Sequence, residues 1–359
     1  MKRLHNIGIA GLLMALSLIT ANAQGDKITK TFHQDYAINK NSRLSIDNKY
    51  GSIDVKNWNA DKVTIDVVVS IEHTSQDKAK KLMDYISVTF SQDGNDIKAV
   101  TDIDEKFNTN NWFHFGGDNR EFSINYTINL PSWLDVRLTN KYGDIFISEL
   151  SGPTQIFLKY GNMKANKLLR GNSDPMASIT LAYANATVDE CNWMKLDMKY
   201  SKFNVDKGMA YVIVSKYSKL ALGDCSSVVS ESRYDDYRIG KVSNLVTNAA
   251  YSGFKIDKVD RKLDATTRYT GVSVDKVPAS FESIKIDNSY GGIKIGIDES
   301  ASYSIDGHAK YAKITVPDGH YDKIEENTSS TIKGLVGKDN KTKSVVTIET
   351  SYGGVKLVE

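Results

Sequence analysis

A tyrosine recurs along this chain at a fixed step, and no other feature limits its folding so tightly. From Tyr183 to Tyr251 the step is 17 residues without exception, through Tyr200, Tyr217 and Tyr234. The surrounding segments align as LAYANATVDEC (181–191), MKYSKFNVDKG (198–208), SKYSKLALGDC (215–225), SRYDDYRIGKV (232–242) and AAYSGFKIDKV (249–259). Looser steps of 18 to 23 residues carry the unit through Tyr142, Tyr160, Tyr269 and Tyr290, and two more copies, at Tyr50 and Tyr352, stand beyond long gaps. An apolar residue sits three places after each tyrosine and another five places after, as in Phe203 and Val205 or Ile293 and Ile295. The residue between them is usually polar. Pairs upstream, such as Leu196/Met198 and Ile284/Ile286, alternate in the same way. Period two is the signature of a half-buried strand. Each unit thus predicts two short strands joined by a bend at Tyr-Gly or Tyr-Ser, where a small residue suits a sharp turn.

A unit this short cannot bury its apolar side alone, so copies must stack. The expected fold is all-β: a parallel β-helix or β-solenoid of short rungs, roughly 17–21 residues each, at ~4.8 Å per rung. Propeller blades need about 40 residues and leucine-rich repeats about 20 to 29 with their own framework. Between Tyr50 and Tyr142 the period is broken. Val63–Val69 reads as a strand, Thr74–Asp77 as a helix start, and Ala79, Leu82, Met83 and Ile86 as one apolar helical face. Strands are expected at Val88–Phe90, Ile97–Val100 and Phe122–Leu130. The predicted organisation is a signal peptide (1–23), a first rung (24–59), a small α/β insert capping the N-terminal end (60–135), the repeats (136–297), an irregular decorating or capping segment (298–345) and a final rung (346–359).

The N-terminal segment carries Lys2 and Arg3, an apolar run Ile7–Leu16 and the small-x-small triplet Ala21-Asn22-Ala23. That pattern is a secretory leader with cleavage after Ala23. No later stretch reaches the ~20 apolar residues of a membrane helix. The expected location is secreted or periplasmic, with association to the cell surface as a further option. Lys+Arg number 46 and Asp+Glu 44; setting aside Lys2 and Arg3 leaves 44 of each, so no overall charge favours nucleic acid. Cys191 and Cys225 are 34 residues apart, two units, and each lies eight places after a repeat tyrosine. Two rungs separate them by ~9.6 Å, beyond the ~7 Å Cα limit of a disulfide. Two free, buried thiols are predicted.

The blocks NKYGSIDVKNWNADKVTIDVVVSIE, NKYGDIFI and NSYGGIKI resemble the bacterial secreted "putative adhesin" domains of unknown function. The resemblance implies stacked short strands and brings no catalytic residue.

No G-x-S-x-G, P-loop or H-E-x-x-H is present, the six histidines are scattered, and neither catalytic residues, cofactor nor metal is expected. The Asp189, Asp206, Asp257 and Asp275 file has lysines beside it at Lys207, Lys258 and Lys276 and reads as a solvated face. The residue before the tyrosine is usually basic, and parity points it outward. Lys141, Lys159, Lys199, Lys216, Arg233 and Arg268, together with Lys49, form a positive file. Its functional reading is a stripe for an anionic polymer; its structural one is a solvated edge that resists lateral pairing. The tyrosines, by parity, are expected to be partly buried in a stacked corner. Trp112, Phe113 and Phe115 form an aromatic loop whose functional reading is an exposed contact patch and whose structural one is packing back on its own domain. The sequence therefore suggests a non-enzymatic, adhesin-like or structural envelope protein whose partner is an envelope glycan or surface protein. The alternatives are a carbohydrate-active β-helix enzyme and an envelope sensory component.

Overall fold

The structure, a computed structural model, describes residues 18–21, 27–109, 121–173 and 176–359. It is all-β: the described strands join in one continuous hydrogen-bonded sheet. The expected leader cleavage point after Ala23 lies outside the described residues. Leu18–Ala21, within that leader, is a strand antiparallel to Lys27–Ala37.

The tyrosine units pair in parallel, each residue opposite its counterpart one unit on. Phe203 faces Leu220, Leu220 faces Tyr237, and Tyr237 faces Phe254. The apolar residues three and five places after the eleven expected tyrosines are all buried. So are the alternating residues upstream, and both sets belong to one hydrophobic cluster that extends to Leu357. One expectation changes here. Instead of two short strands per unit, Asn185–Lys199, Lys202–Lys216, Lys219–Arg233 and Asp236–Ala250 are single strands of 15 residues. The strand after one tyrosine runs unbroken into the strand before the next.

The segment after Tyr50 holds the helix Gln76–Met83, with Ser75 as its N-cap and Ala79, Leu82 and Met83 buried. The short helix Glu105–Thr109 has no counterpart in the sequence expectation. Asp96–Ile103 and Glu121–Leu130 pair in parallel with the strands flanking Tyr50, on the side away from Tyr142. Lys62–Glu72 then pairs antiparallel with Glu121–Leu130.

The other end overturns two expectations. Residues 298–345 are not irregular. Tyr303–Lys310 and Ile314–Thr315 flank Tyr311 as a further full unit, and Ser329–Val336 and Gly319–Glu325 continue as antiparallel strands. Nor is 346–359 the last unit. Val345–Ser351 lies between Ser283–Ser289 and Tyr303–Lys310, in parallel with both. The chain makes its outermost tyrosine unit first and then inserts the C-terminal one beneath it. The KYAKITV segment at 310–316 carries the pattern of the other units, with Ile314 three places after Tyr311 and Val316 five places after.

Candidate functional site

Twelve tyrosines have φ between 50° and 59°: the eleven expected, plus Tyr311. The left-handed residue of each bend is thus the tyrosine itself, not the small residue after it. This conformation costs a non-glycine residue about 1–2 kcal/mol. It turns the side chain outward at the bend, where the rings are partly buried in a stacked file, as expected. Eleven of the rings are 38 to 51% exposed, and Tyr50 somewhat less. The rings stack face to face in one file, Tyr50–Tyr142–Tyr160–Tyr183–Tyr200–Tyr217–Tyr234–Tyr251–Tyr269–Tyr290–Tyr352–Tyr311. Centroids stand 4.7 to 5.2 Å apart and planes meet at 2 to 19°. Aromatic contacts of this kind contribute ~0.5–1.5 kcal/mol per pair beyond burial, which offsets the backbone cost. The N–H of every tyrosine but Tyr311, which donates to the Thr328 carbonyl, goes to the carbonyl of the residue before the next tyrosine, as from Tyr200 to Lys216 at 3.0 Å, so the ladder runs unbroken through the bend.

The small residue after tyrosine has a different purpose from supplying a flexible turn. A Cβ on Gly143 would stand 1.9 Å from the Gly51 carbonyl oxygen, and one on Gly161 2.0 Å from that of Gly143. Only glycine fits such bends. At Tyr142 and Tyr290 an asparagine two places before the tyrosine holds the turn, whereas Leu158 stands there before Tyr160: Asn140 Nδ2 donates to the Gly51 and Asp144 carbonyls, and Asn288 Nδ2 to that of Gly291. The middle of the stack uses a second chemistry. The backbone N–H of Ala184, Ser201, Ser218, Asp235 and Ser252 donates to the side-chain oxygen of Ser201, Ser218, Asp235, Ser252 and Thr270 respectively, at 2.7 to 3.3 Å. Asp235 is buried here and also accepts from Ser215 Oγ, Ser232 Oγ and the Arg233 N–H. Burial raises its carboxyl above the ordinary carboxylate range, and these hydrogen bonds only partly oppose that.

The basic file falls on one side of the rings. In register order it reads Lys49, Lys141, Lys159, Ala182, Lys199, Lys216, Arg233, Ala250, Arg268, Ser289, Ser351, Lys310. The structure thus aligns Lys141, Lys159, Lys199, Lys216, Arg233 and Arg268, and adds Lys310, which the KYAKI segment at 310–314 would have revealed. Several hold their charge near a ring: Lys141 and Lys159 lie 5.0 Å from the centroids of Tyr142 and Tyr160, and Lys216 5.2 Å from that of Tyr217. None of these basic side chains has an ion pair among the described residues. Trp112, Phe113 and Phe115 lie outside the described residues. Because neighbouring rings cover both faces of each interior tyrosine, the surface offers phenol edges, hydroxyls and cationic heads, not open aromatic faces.

Cys191 and Cys225 are free and buried. Cys191 faces Gly208 one unit on, and the Tyr211 hydroxyl reaches over Gly208 to the Cys191 carbonyl at 3.4 Å. Burial pushes both thiols up to about 12. Among the described residues no cluster of three His, Cys, Asp or Glu forms a metal site, and no helix is long and apolar enough to cross a membrane.

No protein-family model and no curated protein matches the chain. Solved structures do match over most of its length. A "putative adhesin" of Parabacteroides merdae is 10% identical, with 92% of this chain and 96% of that one covered and a TM-score of 0.30. A "putative lipid binding protein" of Parabacteroides distasonis is 11% identical, with 92% and 97% covered and a TM-score of 0.31. A "putative cell adhesion protein" of Clostridium sporogenes is 10% identical, with 90% and 97% covered and a TM-score of 0.18. Of these three structures two are named for adhesion and one for lipid binding.

Proposed function

We propose that the chain coils as a β-solenoid of tyrosine-marked rungs and acts as a non-enzymatic, adhesin-like binding or scaffolding protein of the cell envelope. The observation that carries this reading is the ladder of twelve stacked, outward-turned tyrosines with its file of unpaired cations. A site repeated at every ~4.8 Å along a rod suits a partner that is itself extended or repetitive, because many weak contacts then act together. The leader pattern at residues 1–23 supports export, to the periplasm, the exterior or the cell surface. The partner this reading names is an envelope glycan or a surface protein. Pull-downs with the purified protein against isolated envelope glycans and surface proteins are expected to retain it. If no such partner retains it, the adhesive role is wrong. Turnover on a panel of polysaccharides would replace it with the enzymatic reading.

A further inference from the structure

The strands that follow the tyrosines present a second outward surface, and part of it is a trough. It has a volume of about 670 Å³ and crosses five neighbouring strands, from Gly253–Arg268 through Gly271–Val277, Ile293–Ile297 and Val355–Val358 to Ile314–Thr315. That volume is typical of ligand sites, which run ~300–1,000 Å³. At ~4.8 Å per strand its four steps make roughly 19 Å of length.

Lysine lines it. Lys255, Lys294 and Lys356 stand in one cross-strand file, interrupted once by Ser273, and Lys313 closes the far end. The one acidic lining residue is Asp236, at the opposite end. None of the four lysines has an ion pair among the described residues. Asp257 and Asp275 project from the same strand surface two places further on, and neither pairs with Lys255. Lys294 and Lys356 are directly opposite each other, an arrangement that destabilises a sheet when nothing neutralises it. The walls are this clear because the floor is bare backbone. A Cβ on Gly271 or Gly292 would meet no atom within 4 Å, so packing does not demand glycine at either place.

We propose that this trough binds a linear anionic glycan, laid across the strands along the lysine file; the proposal rests on the adhesive reading and names its ligand class. Unpaired cations in a row call for repeated negative charge. A flat floor admits an extended, hydroxyl-rich chain at close range. Single-stranded nucleic acid fits less well: it is held by base stacking on open aromatic faces, and the adjacent tyrosines keep theirs covered by one another.

The test is calorimetric titration of the full chain with polygalacturonate, with its fully methyl-esterified form and single-stranded DNA alongside. Polygalacturonate is expected to bind, more weakly at higher salt, and the neutral ester is not. Lys294→Gln with Lys356→Gln should weaken binding at least tenfold. Gly271→Leu with Gly292→Leu should weaken it at least tenfold by raising side chains from the floor, with the thermal midpoint retained because a Cβ at either place meets open space. The trough proposal is overturned if polygalacturonate does not bind, if both double variants bind it like the parent, or if DNA binds as tightly. Retention of the protein on isolated envelopes is scored separately. Envelope binding that survives both variants without polygalacturonate binding sinks the trough alone; polygalacturonate binding without envelope retention sinks the adhesive role alone.

Discussion

Tyr217 sits in the middle of the ladder, and its replacement tests what holds the bend. The ring stacks on Tyr200 at 4.9 Å and on Tyr234 at 4.8 Å, is 41% exposed, and its backbone has φ 53°. Hiding a little over half of a side chain that buries ~150–250 Å² in full, at ~25 cal/mol per Å², contributes about 2 kcal/mol once the retained Cβ is discounted. Two ring contacts at ~1 kcal/mol each contribute about 2 kcal/mol more. Tyr217→Ala keeps the left-handed strain and loses both contributions, so a loss of about 4 kcal/mol is expected. Tyr217→Gly loses the same contacts but relieves the strain, and should cost about 1 kcal/mol less. The double replacement Tyr217→Ala/Tyr234→Ala should fall short of additivity by about 1 kcal/mol, the shared ring pair being counted twice in the singles. Urea unfolding followed by far-ultraviolet circular dichroism reads all three. Alanine proving no worse than glycine would refute the assignment of left-handed strain to the tyrosine. Strict additivity of the pair would refute a stabilising stack.

The remaining predictions concern glycine, sulfur and charge. Gly143→Ala should lower the melting temperature by many degrees, because its Cβ meets the Gly51 carbonyl, whereas Gly271→Ala should leave it nearly unchanged; equal effects in a thermal scan would contradict the packing described. Cys191 and Cys225 should resist iodoacetamide at neutral pH in the native protein and react fully in denaturant, and a mass showing both thiols oxidised together in the native fold would count against their separation. Asp235→Ser gives its position the residue found at Ser218 and Ser252. Burial raises the Asp235 carboxyl above its ordinary value of 3.8, so its neutral form favours the native state. That contribution is complete below pH ~4 and lost as pH rises through the raised native value. The serine variant should therefore gain stability relative to the parent between about pH 4 and pH 7 in urea titrations, and a flat difference would oppose the assignment. Deleting residues 345–359 should disrupt Tyr303–Lys310 as well, measured as lost strand signal beyond the deleted share, because the deleted strand lies between two others.

The tyrosine period, the burial three and five places later and the alternation upstream were enough to establish that this chain is all-β and that equal positions of successive units lie side by side. Alternation is a local property, and a fixed repeat length turns it into a register. The free state of Cys191 and Cys225 was legible for the same reason, since two units of sequence are two steps of distance. The basic file was legible in position and, through the KYAKI segment at 310–314, in its extension to Lys310; only the place of that unit in the stack was not. What the tertiary structure decided were the matters that depend on neighbours across the stack. It put the left-handed conformation on the tyrosine, because stacked rings offset there a strain that an isolated bend would have passed to glycine. It required Gly143 and Gly161 because another unit's carbonyl occupies the space of a Cβ. It slid Val345–Ser351 beneath a unit formed earlier in the chain, an order that periodicity cannot encode because all units present the same edge. The lysine trough arose in the same way, from side chains distant in sequence brought into one file by pairing.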